Sequence, residues 1–432
     1  MAGPEYKAAG FPDGLNNRAH EKGGPTSENG IPTALREAVN VSLTREGRPF
    51  RRPGQTQRVE GIAHSLYAMG QHLLAVVDGE FRAYRQADDG TLTLDVTIAT
   101  TGNGYITCTD DDYSVFWSNG LVSGRLDEAF ANHPLWIDTP NPVSLATTTG
   151  ALAAGRYEVA VTVVDAEGRE SGASGPVGRS VVSGQGLTVT LPAAPAGTVR
   201  WRLWITTPDG EVFYQAASLP ANATSHVIGH LATDAKLETL WLHPLVPTNV
   251  LRHGHNRLYG LANATFIWSE PYRVGLMHPD NHMVLGTEAT LLEPIGDGTA
   301  GAGLWIADHK RTYFLSSPDF DTWQQQARYP HAAVPGTSHV LPGSHFGIDA
   351  ERVVYWLARN GIPCLGLPGG QHIPLREDAV ALPVDAERGA TGLMIFDGIR
   401  QLLTTTVSAS ANIGQAADSI DATVTRRDHR PT

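Results

Sequence analysis

Short apolar runs meet again and again at Asn-Gly and Asp-Gly dipeptides in this chain. That recurrence limits the possible folds more than any other feature. The runs are "LLAVVDGEFRAY" (73–84), "VFWSNGLVSG" (115–124), "RLYGLANATFIWSE" (257–270), "GLWIADHKRTYFL" (303–315), "VYWLARNGIPCLG" (354–366) and "GLMIFDGIRQLLTTT" (392–406). Asp78-Gly79, Asn119-Gly120, Asn360-Gly361 and Asp397-Gly398 tolerate the positive φ that tight hairpins need. Turn centres near 79, 119, 263, 308, 360 and 398 are separated by 40, 144, 45, 52 and 38 residues. Four of these steps match one propeller blade, roughly 40–50 residues. The long step exceeds a blade by about 100 residues, the size of an immunoglobulin-type sandwich. The spacing therefore predicts an all-β fold: a β-propeller of about six blades with one inserted β-sandwich.

The insertion is expected over 141–242, between propeller segments 31–140 and 243–406. Within it, Tyr157, Val159, Val161 and Val163 alternate with strand period, and Trp201, Leu203 and Ile205 share a face. "YEVAVTVVDAEGRESGASGP" resembles a fibronectin type III strand pair, a resemblance of fold and not of activity.

Residues 1–30 are rich in Gly, Pro, Asn and charge and are expected to form an extended arm. A second arm is expected over 407–432, with one strand near Ile420–Val424. After the first arm comes "LREAVNVSLTREGRPFRRPG" (35–54). Val39, Val41 and Leu43 alternate with polar residues, Glu46-Gly47 turns, and Pro49 and Pro53 confine the return strand to an edge.

Composition narrows the function. High Gly (46) and Pro (28) with 18% charged residues fit many turns and few long helices. A net charge of −12 argues against tight nucleic-acid binding, which needs clustered Lys and Arg. Two cysteines, Cys108 and Cys364, make no disulfide framework and no zinc pattern. The first 30 residues have no apolar signal core, and no run of 18 apolar residues is present.

The chemistry-bearing residues form no catalytic, cofactor or metal set. His253 and His255, and His278, Asp280 and His282, sit in loop-like contexts without a clear third ligand. "SSPDFDTW" (316–323) is an imperfect Asp box. Ser317 and Asp319 match, Asp321 stands where glycine belongs, and Trp323 comes one residue early. "GDGTAGAG" (296–303) lacks the lysine of a phosphate loop. Asp110, Asp111 and Asp112 adjoin a hairpin and read as a solvated turn, a calcium cluster or a negatively charged lining.

The opening stretch, followed by "GIAHSLYAMGQHLLAVVDGEFRAY", resembles the start of the tail nozzle proteins of short-tailed bacteriophages, also called tail tubular protein B. Asn40, Gly47, Arg51, Arg52, Pro53 and Gly54 carry the resemblance. It implies a virion protein made in the bacterial cytoplasm. It also implies a hexameric ring below the portal, in contact with a tail adaptor and with tail fibres or a tail needle, through which genomic DNA passes without specific binding.

Six copies at −12 would carry −72, and a wall of carboxylates gives DNA nothing to hold. Screening confines that effect to about 8 Å. Asp110, Asp111, Asp112, Glu293 and Asp297 are the channel-lining candidates on this reading, and Arg51 and Arg52 the assembly contacts. Two alternatives stand beside it: a carbohydrate-binding or carbohydrate-degrading propeller of a phage tail, and a fibre-attachment or tail-tip protein.

Overall fold

The computed structural model describes residues 14–15, 18, 33–35, 41–43, 48–51, 57–102, 104–231, 233–296, 301–316, 323–375, 377–378, 386–396, 399–407 and 422–425. The fold is all-β, as the hairpin recurrence predicts. Five four-stranded sheets and one three-stranded sheet follow one another in the chain, each with its strands in blade-like neighbour order. Sheet one is Ala63–Met69, His72–Val77, Glu80–Gln86 and Leu92–Thr100. Sheet two is Thr107–Asp110, Val115–Ser118, Ser123–Leu126 and Asn132–His133. Sheet three is Val250–Gly254, Arg257–Ala262, Thr265–Trp268 and His282–Val284.

Sheet four is Ala289–Ile295, Gly303–Asp308, Thr312–Ser316 and Gln324–Tyr329. Sheet five is His339–Pro342, Arg352–Leu357, Pro363–Gly366 and His372–Pro374. Sheet six is Arg388–Phe396, Ile399–Val407 and Ala422–Thr425.

The predicted turns explain the sheets. Asp78 and Gly79 have φ of 52° and 81°, and Val77 faces Glu80 across the hairpin. Two consecutive positive φ values give the turn whose twist matches the flanking strands. In sheets one to five the turns near 79, 119, 263, 308 and 360 join the second and third strands. Residues 397–398 lie outside the described residues, between Arg388–Phe396 and Ile399–Val407, the first and second described strands of sheet six. The last 38-residue step thus marks a different position in its sheet. The strand expected near Ile420–Val424 is described at Ala422–Thr425, and it pairs with Leu402–Thr405 in sheet six. The two opening strands pair antiparallel as expected, with Val41 opposite Arg51 and Leu43 opposite Pro49, while Val39 and the Glu46-Gly47 turn lie outside the described residues.

The chain divides into two compact units. One comprises His64–Gln86 and Thr93–Val284; the other comprises Met1–Ala63, Ala87–Leu92 and Leu285–Thr432. Within each unit, consecutive sheets meet along their first strands. In the 64–284 unit, Ser65 Oγ accepts from Ile106 N at 2.9 Å, and Thr109 Oγ1 accepts from His253 N at 2.9 Å. Arg252 Nη1 donates to Thr107 Oγ1 at 2.8 Å. In the other unit, Ser338 Oγ donates to Glu293 Oε1 at 2.7 Å, and Thr391 Oγ1 donates to Thr337 O at 2.8 Å. Small hydroxyl residues let two strand edges approach while satisfying backbone groups that would otherwise be unpaired.

The sandwich lies between sheets two and three in the chain. Ser144–Leu152, Gln185–Thr190 and Ser225–Ile228 form one layer. Val177–Val181, Gly155–Val164, Arg200–Thr206 and Phe213–Pro220 form the other. Gly155–Val164 forms the first strand of the expected pair, and its partner, Val177–Val181, begins just past the expected stretch, with Val159 facing Val177. The first two strands of the module lie in different layers, whereas the immunoglobulin order puts them side by side.

Tyr157, Val159, Val161, Val163, Trp201 and Leu203 fill the space between the layers. Trp136, Ile137, Leu242 and Leu276, which lie outside the seven strands, join that same core. A charged seat accompanies it. Arg125 on sheet two is 6% exposed, and its Nη2 donates to Glu167 Oε1 at 2.5 Å. Arg169 donates to Asp165 at 2.7 Å and stacks 5.1 Å over Trp136. Arg125→Ala is expected to cost about 1–2 kcal/mol, the scale of a lost charged hydrogen bond. The larger penalty of a stranded buried charge does not apply, because the Glu167 side chain is 50% exposed. Urea unfolding of the two proteins checks the difference.

In the other unit, Trp305, Trp356, Leu291, Phe314, Val354 and Cys364 form the core between sheets four and five. His372 lies at its edge, 4.4 Å from the Tyr329 ring and 5.8 Å from that of Trp356. Burial lowers its pKa to about 4. A histidine held neutral in the fold and titrating near 6.5 when unfolded favours the unfolded state as it gains its proton. This unit should therefore lose stability as pH falls from about 6.5 towards 4. His372→Phe should flatten that part of the profile, as read by thermal melts at several pH values.

Candidate functional site

The first strands of sheets two and three run side by side in the same direction, because Thr107 meets Leu251 and Thr109 meets His253. Their C-terminal ends, Asp110 and Gly254, therefore share one end of the sheet pair. The acidic triplet sits there. Tyr67 on sheet one donates its hydroxyl to Asp110 Oδ2. Burial and this carboxylate raise the Tyr67 pKa, so the phenol stays a proton donor. Asp111 Oδ1 accepts from Tyr113 N at 3.1 Å and Ser114 N at 2.8 Å, closing the turn. Asp112 is exposed and takes φ 71°, a left-handed value that Asp tolerates.

Sheet two also brings Asp127 and Glu128 to this end, since Leu126 and Asp110 both face Val115. A hydrogen bond from His133, aided by the Ala131 and Ala129 amides, holds the Asp127 pKa below the usual carboxylate range. Asp110–Asp112 are thus a hydrogen-bonded turn at a strand end. Among the described residues no group of three or more His, Cys, Asp or Glu side chains could hold a metal ion.

The other expected residues separate. Glu293 is 4% exposed and accepts from Ser338 at the seam of sheets four and five. A carboxylate engaged in that way is not a solvent-facing wall group, so the lining role expected for Glu293 is corrected. Asp297, Arg52 and the side chain of Arg51 lie outside the described residues, as do Ser317, Asp319 and Asp321 of the Asp box. His255 bonds Tyr259 OH at 3.0 Å, and His278 pairs with Asp280 at 3.5 Å, so the two histidine groups make separate local contacts. The Cys108 thiol, pushed up to about 12 by burial, is protonated at neutral pH.

The same end holds residues that sequence patterns did not single out. Tyr113 and Tyr272 are 77% and 80% exposed, and Trp241 is 57% exposed. Tyr272 N donates to Asn256 O in the turn after Gly254. Arg273, its neighbour, pairs with Glu238, which ties the segment carrying Trp241 to this loop. Tyr272 and Trp241 have φ of 59° and 67°. The only sequence signal was an aromatic residue inside a turn-forming context, as in "DDDY" and "EPYR".

No protein-family model matches the chain, and no curated protein does. Among solved structures, it is similar to the Pan2 WD40 domain of Neurospora crassa, at 8% identity and a TM-score of 0.33, over 79% of this chain and 86% of that one. It is similar to apo AztD from Citrobacter koseri at 9% identity and a TM-score of 0.29, over 73% and 71%. A streptogramin B lyase structure is similar at 11% identity and a TM-score of 0.30, over 79% and 90%. Scores this low carry no argument about activity. No helix among the described residues is long and apolar enough to cross a membrane.

Proposed function

We propose that this chain is a structural virion protein, the tail nozzle of a short-tailed bacteriophage. Six copies form a ring around the DNA exit channel, retain the genome and let it pass at ejection. The observation that carries the reading is the opening hairpin, Val41–Leu43 against Pro49–Arg51. It precedes six successive blade-type sheets and stands in the stretch whose residues resemble the nozzle proteins. The acidic charge supports it, because a conduit must not hold the phosphate backbone.

The ring meets the tail adaptor and the fibres or needle, and it performs its role without turnover. Native mass measurement tests the reading. A species of six chains, each 46.2 kDa, is expected alone or on addition of the adaptor. A monomer under both conditions counts against it.

A further inference from the structure

Among the described residues, four aromatic side chains are strongly exposed: Tyr105, Tyr113, Trp241 and Tyr272. Tyr113 and Tyr272 belong to the end of sheets two and three described above, and the Arg273–Glu238 pair ties the segment carrying Trp241 to the Tyr272 loop. Trp and Tyr are the residues that most often anchor protein interfaces, and their exposure on a soluble surface is informative where it is concentrated. Trp241 and Tyr272 are held on left-handed backbone, uncommon for bulky residues and frequent at binding loops. The fully exposed charges of this end are acidic, and its arginines, Arg257 and Arg273, are half-buried. Asp112 and Glu128 are exposed, and no basic partner bonds either of them among the described residues. Arg273 is already matched by Glu238.

We propose that this end of the 64–284 unit is a docking surface for a basic protein segment rich in arginine. Guanidinium planes would stack on Tyr113, Trp241 and Tyr272 while Asp112 and Glu128 attract the approaching charge. Arginine fits better than lysine because a planar, weakly hydrated cation stacks on aromatic faces. The inference rests on the geometry of one unit and not on the nozzle reading.

The test is fluorescence anisotropy with labelled octa-arginine and octa-lysine peptides on the full-length protein. Octa-arginine should bind about three- to fivefold more tightly than octa-lysine, the scale of exposed cation–π contacts. The Tyr113→Ala/Trp241→Ala/Tyr272→Ala variant should remove that preference. Asp112→Asn/Glu128→Gln should weaken both peptides and flatten the salt dependence. Tyr272→Gly relieves the left-handed backbone, so it should lose arginine preference with an unchanged or higher melting temperature, which separates binding from folding. Equal binding of both peptides by the unmodified protein, or a preference that survives the triple alanine variant, would overturn the proposal. So would aromatic-dependent binding of maltohexaose with no peptide binding, or self-association abolished by the triple variant.

Discussion

Trp305→Ala should destabilise its unit by about 3–5 kcal/mol, the usual range for emptying a buried tryptophan site. Trp305 is 0% exposed. Its ring lies 5.2 Å from Phe314 and 5.4 Å from Trp356, so it fills the space between sheets four and five. Its Nε1 also donates to Leu367 O at 3.2 Å, a carbonyl that keeps the Gly370 amide as a second donor. Rigid strands on both sides limit how far the site can collapse, which places the cost towards the upper part of the range. Trp305→Phe keeps most of the apolar area and should cost less. Denaturant unfolding of the three proteins should show a graded loss in the transition of this unit. The transition containing the sandwich should stay in place.

Gly172→Ala should be the most damaging small substitution in the other unit. An added Cβ would stand 1.8 Å from the Leu242 carbonyl oxygen, 2.7 Å from its carbon and 2.9 Å from Thr139 Oγ1. The nearest obstacle is backbone, which cannot rotate away as a side chain does. Overpacking of this kind costs on the order of 1–3 kcal/mol and sometimes more. The neighbouring bonds indicate how the unit yields. Ala173 N donates to Thr239 O at 3.0 Å, and Leu242 belongs to the sandwich core. Pushing residue 172 outward would part the 171–175 segment from the returning 239–242 segment. Hydrogen exchange should therefore rise at 171–175 and 239–242 together. Rapid exchange at 172 alone, with the unfolding midpoint unchanged, would show that the seat tolerates the methyl group.

What the sequence made legible is local. Asp78-Gly79 identifies its hairpin because the φ requirement is written in the two residues that meet it. Tyr157, Val159, Val161 and Val163 identify a strand because their alternation is its own geometry. The size of the insertion followed from counting, and the hairpin at 41–51 from alternation and prolines.

The remainder depends on pairings that no local pattern contains. Glu293 looks like any strand carboxylate until Ser338, 45 residues away, is found beside it. The Arg125–Glu167 seat joins residues 42 apart. The layer order of the sandwich is a choice among topologies that alternation leaves equal. Ala422–Thr425 is too short and polar to declare which sheet it completes. Tyr113 and Tyr272 were missed because periodicity identifies buried faces, and these side chains are exposed at turns.

The central claim is that copies of this chain assemble into a conduit. Negative-stain imaging of the purified protein together with its adaptor is the most direct measurement. Particles with sixfold symmetry and an open, stain-filled centre are the predicted result. Single, unassociated subunits in the presence of adaptor, or closed assemblies with no central opening, would contradict it.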